Sequence, residues 1–455
     1  MSEASPAEVL GQSLELPCGE VLPNRLAKAA MTEGLADHRG QPGERLQRLY
    51  RAWSEGGAGL LITGNVQIDW QHLERPGNVV VDRPADEEQR KSLQDWAEAA
   101  RSAGNGLWMQ ISHAGRQTQR TINPQPKAPS AIPLALPGKL FGVPVPLTED
   151  EIEDLIERFA GAALIAAETG FTGAQIHAAH GYLISEFLSP LANTRDDRWG
   201  GSLENRARFL LEVVRRARAR LPDNFALAVK LNSADFQKGG FAPEESLQVA
   251  AWLQEAGIDA LEISGGSYES PKMMNMAGLD ESDEGAGRVQ SSTAAREAYF
   301  IQFAAEMQRE VRIPLMVTGG FRSAEGMSQA IAEDGIGLIG LARPLCVDPA
   351  APQKLLEGQS ALDRWEDRLR VGPGWFGPQS PFAMLKAING FGVMSWYYQQ
   401  LRRLGDGLPP DPSLGVFSSF VREQWTQYSQ KKASQSEAEQ PAAEETLTTS
   451  ATHKG

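Results

Sequence analysis

Eight short apolar runs recur along the chain, separated by longer amphipathic segments. They are LAKAAMT (26–32), AGLLITGNV (58–66), GLWMQISHA (106–114), GAQIHAAHG (173–181), ALAVKLNS (226–233), ALEISGG (260–266), PLMVTGGF (314–321) and IGLIGLARP (336–344). Each has strand length and is apolar on both faces, as a parallel strand buried between two layers must be. Each is followed by a segment of helical character. Two of these helices can be argued residue by residue. Thr148 and Glu151 form a capping box ahead of Ile152, Leu155, Ile156 and Phe159 at helical spacing, and Gly170 ends the segment. Pro243 opens PEESLQVAAWLQEAG, which stops at Gly257. Eight strands that each feed a helix predict an α/β fold, a (β/α)8 TIM barrel, rather than an open doubly wound sheet.

GIGLIG (335–340) matches the G-x-G-x-x-G dinucleotide fingerprint. The match lies inside the eighth apolar run, and Arg343-Pro344 follow where a helix would have to open, so a small-residue barrel strand is the better account. Two long segments are expected over the barrel mouth. One is 123–147, with seven prolines, and the other is 266–293. The barrel should occupy residues 1–360. From 361 to 430 the pattern changes to an aromatic-rich C-terminal extension with Trp365, Trp375, Trp396 and Trp425, which needs a surface of the barrel or of a neighbouring subunit to pack on. The tail, 431–455, is too poor in apolar residues to fold and is expected to be disordered.

Composition narrows the partners. The net charge of −14 argues against nucleic acid, which needs a basic face. Two cysteines, Cys18 and Cys346, exclude a disulfide framework and a cysteine-held metal cluster. The polar start has no signal-peptide pattern and no apolar run is long enough for a membrane helix, so a cytoplasmic protein without membrane contact is expected.

The chemistry of such a barrel sits at the C-terminal ends of its strands. Polar residues there include Thr32, Gly64 with Asn65, Gln110, His113, His177 and His180, Lys230, Gly319 with Gly320, and Arg343. A lysine inside an apolar strand needs a negative partner, which for Lys230 is either an internal carboxylate or an anionic ligand. Glycines after the seventh strand and an arginine after the eighth form the usual phosphate position of barrels. The pair His177/His180 has no third ligand at motif spacing, so no metal is expected there. The two imidazoles can converge only if the chain turns after the strand, as Gly181 allows. His113 reads best as a loop-ordering residue.

HAAHGYLISEFLSPLANTRDDRWGGSLENRARF (177–209) carries a histidine pair, a tyrosine, LSP, Asn-x-Arg-x-Asp, Gly-Gly-Ser and Asn-Arg in fixed order. With LPNRLAKAAMTEGLAD (22–37), MQISHAGRQ (109–117), APSAIP (128–133) and LARPLCVDP (341–349), it resembles the Old Yellow Enzyme family of FMN-dependent ene-reductases and NADH:flavin oxidoreductases. The resemblance runs from about residue 9 to 355. It implies that Ala29, Ala30, Met31 and Thr32 line the flavin edge, that Gly64 and Gln110 contact the ring, and that Lys230 lies beside flavin N1 and the C2 carbonyl. Gly319, Gly320, Ala342 and Arg343 would hold the phosphate. His177 and His180 would bind a carbonyl oxygen while Tyr182 supplies a proton. The implied reaction takes hydride from NADH or NADPH onto tightly but non-covalently bound FMN and passes it to an α,β-unsaturated carbonyl. A demethylase or NADH oxidase on the same site and a non-catalytic flavin-binding protein are the alternatives. The family's aromatic residue near Gly34 is missing, and Trp199 stands where a tyrosine is usual. The expected partner is a small-molecule electron acceptor. Whether the chain forms a homo-oligomer is left open.

Overall fold

A computed structural model describes residues 4–82, 84–134, 140–265, 290–378 and 380–438. Eight parallel strands close on themselves: β1 (Leu26–Lys28), β2 (Leu60–Ile62), β3 (Gly106–Ser112), β4 (Gly173–Ala178), β5 (Ala226–Asn232), β6 (Ala260–Ser264), β7 (Leu315–Thr318) and β8 (Leu338–Leu341). Each pairs with the next in the sequence, and β8 pairs with β1. Each of the eight apolar runs holds one strand. The helix that follows each strand packs outside it. These are α1 (Glu44–Glu55), α2 (Glu87–Ala100), α3 (Glu149–Glu168), α4 (Leu203–Arg218), α5 (Pro243–Glu255), α6 (Gln290–Glu310), α7 (Ala324–Ala332) and α8 (Ala351–Leu356). The Thr148–Glu151 capping box is formed, and Pro243 opens α5.

Side chains alternate along a strand, so every second residue enters the bore. At the N-terminal ends of the strands this inward stripe is apolar. Ala27, Leu60, Trp108, Ala228, Ala260, Met316 and Leu338 pack together there. A two-stranded hairpin, Leu14–Glu15 with Val21–Leu22, plugs this end with Leu16 and Leu22, and Trp108 donates its indole N–H to Glu20 at 3.0 Å. Two residues further along the same stripe the chemistry changes. Trp108 gives way to Gln110, Ala228 to Lys230, Ala260 to Glu262 and Met316 to Thr318. The bore is thus oily below and polar above, and each residue's layer follows from its position in the stripe.

The opposite face of the strands meets the helices. Lys28 of β1 lies there, fully buried, with its ammonium donating to the Ile62 carbonyl (2.7 Å), Glu33 (3.1 Å) and the Tyr50 hydroxyl (3.1 Å). Tyr50 in turn donates to Glu33 at 2.6 Å. This closed set ties the loop after β1 to helix α1.

Two local expectations need correction. A five-residue helix, Arg343–Val347, does open directly after β8, with Pro344 in its first turn, where the missing N–H costs nothing. Helix α6 begins at Gln290, inside the segment expected to be loop, and 266–289 lie outside the described residues. The proline-rich segment contains a small parallel pairing of Lys127–Ala128 with Val145–Pro146.

The C-terminal extension forms two helices, α9 (Ala383–Gly405) and α10 (Val416–Ala438), and 439–455 lie outside the described residues. Helix α9 packs along α1, with Arg48 donating to the Gly405 carbonyl at 2.8 Å and Arg45 paired with Asp406 at 2.7 Å. Trp396 is buried and donates to the Leu414 carbonyl at 2.9 Å, whereas Trp375 and Trp425 stand exposed. No helix among the described residues is long and apolar enough to cross a membrane.

Gly340 makes the change of layer in the bore sterically workable. A Cβ there would stand 2.1 Å from Thr318 Oγ1 and 2.8 Å from the Met316 methyl carbon. Gly340→Ala is therefore expected to destabilise the fold by ~1–3 kcal/mol through overpacking. Thr318→Ala in the same chain should return part of that loss. Urea denaturation midpoints of the single and double variants measure both.

Candidate active site

The strand ends bring the sequence-derived residues to one face of the barrel. Around the ring, Arg343 and Ala342 follow β8, and Ala29 to Thr32 follow β1. Gly64 follows β2, Gln110 is in β3, His177 and His180 belong to β4, Lys230 is in β5, and Gly319 and Gly320 follow β7. The Ala29 N–H donates to the Leu341 carbonyl at 2.8 Å, which sets the start of the Ala29–Thr32 stretch beside the end of β8. Thr32 and Asn78 both donate to the side-chain oxygen of Asn65, at 3.1 Å each.

The histidine pair is arranged by the backbone. His177 is the inward residue of β4 next to last. Three positions on, His180 adopts a φ of 64°, a left-handed conformation uncommon outside glycine, and Gly181 follows at 77°. The turn is made at His180 as well as at the glycine. The two imidazoles then lie edge to face with centroids 5.1 Å apart, and the Tyr182 ring meets His177 at 4.9 Å. His180 is held by β5, by β6 and by the turn after β3. Its N–H donates to Asn232 (3.2 Å), its carbonyl accepts from Gln117 (2.9 Å), and its Nε2 meets Ser264 Oγ at 2.5 Å. Such fixation is what allows an uncommon backbone conformation to persist.

The protonation states follow from the contacts. Nδ1 of His177 accepts the Ala179 N–H at 3.2 Å, so the neutral ring carries its proton on Nε2. Burial, and then the nearby Lys230 ammonium, hold both His177 and His180 well below the ordinary imidazole pKa. Both are neutral near pH 7.

Lys230 has an internal partner. Its ammonium lies 2.8 Å from Glu262 Oε1, and both side chains are almost wholly buried. The same carboxylate accepts from Thr318 (2.7 Å) and Gln175 (2.9 Å), and Gln110 donates to Gln175 at 2.7 Å. Glu262, Gln175, Thr318 and Ser264 were not among the sequence-derived site residues. Their signal was available in the inward stripe, which turns polar at these positions.

At the end of β7, Gly319 and Gly320 have φ of 104° and 85°, and nothing stands within 4 Å of where a Cβ of Gly319 would be. Arg322 nearby is committed to Glu366 at 2.6 Å. The Arg343 side chain makes no hydrogen bond or ion pair with any described residue. In the loop after β1, Gly34 takes a φ of 64°, and its carbonyl accepts from Gln430 (3.1 Å) and Arg402 (3.5 Å) of the C-terminal helices. Arg402 is itself paired with buried Glu423 at 3.2 Å. The extension therefore borders the site at the position where the usual aromatic is missing.

A second group of polar side chains lies beside the site. Asp69 accepts from His72 Nδ1 at 2.6 Å, and His113 Nε2 faces the same oxygen from 3.6 Å. The outer nitrogens are occupied: His72 Nε2 accepts the Lys127 N–H (2.8 Å) and His113 Nδ1 the Gly115 N–H (3.1 Å). The nitrogens facing Asp69 therefore carry protons and offer a metal no lone pair. The group instead ties the proline-rich segment to the end of β3. A groove of about 530 Å³ on the outer wall between α2 and α3 contains none of the strand-end residues. Its charges are paired among themselves, Arg90 with Glu168 and Arg158 with Asp82.

Burial, and then the His72 ring, push the His113 imidazole down to about 4. A group whose folded pKa is depressed contributes stability above its unfolded value and loses it as pH falls towards the folded one. Between pH 6.5 and 4, His113 should remove ~3 kcal/mol of stability. His113→Gln should flatten that part of the stability–pH curve, as denaturant unfolding at several pH values would show.

The sequence matches the NADH:flavin oxidoreductase / NADH oxidase family over residues 18–361. The NADH-dependent flavin oxidoreductase iliE of Neonectria sp. (strain DH2) is 37% identical over 359 residues, which cover 75% of this chain but only 46% of that protein. The iliE protein of Hypocrea jecorina (strain QM6a) is 35% identical, with 77% of this chain and 89% of that protein covered. Among solved structures, the Old Yellow Enzyme homologue from Zymomonas mobilis superposes with a TM-score of 0.63 at 25% identity, covering 80% of this chain and 97% of that one. The chain belongs to the NADH:flavin oxidoreductase / NADH oxidase family and is a barrel of the Old Yellow Enzyme type.

Proposed function

We propose that the chain binds FMN across the strand ends and uses NADH or NADPH to reduce an α,β-unsaturated carbonyl or a similar small-molecule acceptor. The observation that carries this reading is the neutral pair His177/His180 beside Tyr182, at the same barrel face as Lys230 and an uncommitted Arg343. The residues fit the cofactor chemically. Arg343 makes no hydrogen bond or ion pair with a described residue, and the two positive-φ glycines after β7 leave backbone N–H groups, with open space at Gly319, for a phosphate. Gln110 offers an amide to the ring, and Ala29 to Thr32 an edge. When bound, FMN supplies the two-electron carrier between the nicotinamide and the acceptor.

The rest is the work of this chain's side chains. His177 donates from Nε2 to the acceptor's carbonyl oxygen, and His180 provides the second donor once Ser264 yields its place or fixes the tautomer. As hydride reaches the β-carbon, charge accumulates on that oxygen. Preorganised neutral donors stabilise it without having to give up a proton. Tyr182 then delivers a proton to the α-carbon. Hydride and proton together saturate the double bond, and solvent restores the tyrosine.

Tyr182→Phe is expected to slow reoxidation of the reduced protein by cyclohexenone at least ~100-fold, the usual scale of general acid catalysis. Its reduction by NADH should stay near wild type. Anaerobic stopped-flow on each half-reaction measures this. Equal slowing of both would remove Tyr182 from the role, and reoxidation by oxygen alone would favour an oxidase. Because burial and Lys230 keep both histidines neutral, enone reduction should show no acid limb between pH 7.5 and 6. A limb centred near 6.5 would contradict the neutral-donor account.

A further inference from the structure

Among the described residues Glu262 is the one carboxylate in the polar layer of the bore, and its side chain is completely buried. A carboxylate without water must be satisfied by the protein. Here Oε1 receives Lys230 (2.8 Å) and Thr318 (2.7 Å), while Oε2 receives Gln175 (2.9 Å). An ionised carboxylate only accepts hydrogen bonds, so Gln175 must turn its amide nitrogen towards Glu262. Its oxygen is then forced towards Gln110, which answers with its own nitrogen at 2.7 Å. The orientation of Gln110 is thereby decided two residues away, leaving its oxygen and one remaining N–H for whatever lies above.

We infer that Glu262 is a positioning residue that pins Lys230, sets the orientation of Gln110 through Gln175, and with its charge offsets the cation beside the flavin. This rests on the FMN reading given above. Lys230 alone would favour the negatively charged reduced cofactor. With Glu262 at 2.8 Å the pair is close to neutral seen from above, so the bound cofactor is a stronger hydride donor than a lone lysine would make it. A purely structural ion pair elsewhere in the barrel would leave the cofactor's potential untouched.

The test is the midpoint potential of the FMN-loaded, full-length protein, measured by equilibration with reference dyes. Glu262→Gln should shift the reduction equilibrium towards the reduced form by at least tenfold, ~30 mV for two electrons. Lys230→Met should shift it the other way. The double variant, neutral at both positions, should fall between them. If Glu262→Gln does not fold, Lys230→Met against the double variant still isolates the charge of Glu262, and the double should be the more readily reduced. A Glu262→Gln protein within twofold of wild type, or a Lys230→Met protein indistinguishable from the double, would overturn the inference while leaving FMN binding intact. A wild-type chain that holds no FMN would overturn the underlying reading and this inference with it.

Discussion

In a closed barrel, a polar side chain that points inward cannot turn to solvent. Each must find a partner on a neighbouring strand or in a ligand above it. Glu262 meets that constraint for four strands at once, linking β6 to Lys230 of β5, Thr318 of β7 and Gln175 of β4. The layer beneath is apolar apart from the Trp108 indole N–H, which Glu20 satisfies, so the polar layer rests on a fixed floor. Gly340 keeps the eighth strand out of the way, because any side chain there would occupy the place of the Thr318 hydroxyl. The chemistry at the mouth depends on this layer, since it sets which atoms Lys230 and Gln110 present.

The histidine pair is organised by a different device. His177 is positioned by its place in β4 and by the Ala179 N–H, and His180 by a left-handed backbone that β5, β6 and the turn after β3 hold in place. Placing donors before the substrate arrives is what gives an oxyanion-type site its effect, because no reorganisation is needed as charge develops. The same enclosure that fixes the rings also keeps them uncharged. Burial and the Lys230 cation act in one direction on both imidazoles.

The repeated apolar runs made the strands legible, because a parallel strand covered on both sides cannot hide its hydrophobicity. The two helices with clear punctuation were legible for the same local reason. The histidine pair and Tyr182 stood out because they sit together in one short motif. Glu262, Gln175 and Thr318 did not, although each occupies a readable place in the inward stripe. Their meaning lies in contacts that span 87 positions for Gln175–Glu262 and 56 for Thr318–Glu262, and no local pattern records a partner so distant. Lys28 was hidden within an apolar run although its carboxylate, Glu33, is near in sequence, because Glu33 sits in the following loop, where no strand or helix period applies, and its phenol, Tyr50, in a helix. The short helix at Arg343 was missed because a proline was read as a stop, when in a first turn it is permitted.

The proposed chemistry requires FMN at the strand ends, and the most direct measurement is the stoichiometry of flavin in the purified full-length protein. Absorbance before and after denaturation, with the released cofactor identified by chromatography, should give about one FMN per chain, and Arg343→Ala should bind it more weakly, as a single charge-assisted phosphate contact would predict. A colourless protein that takes up no FMN when the cofactor is added would contradict the account.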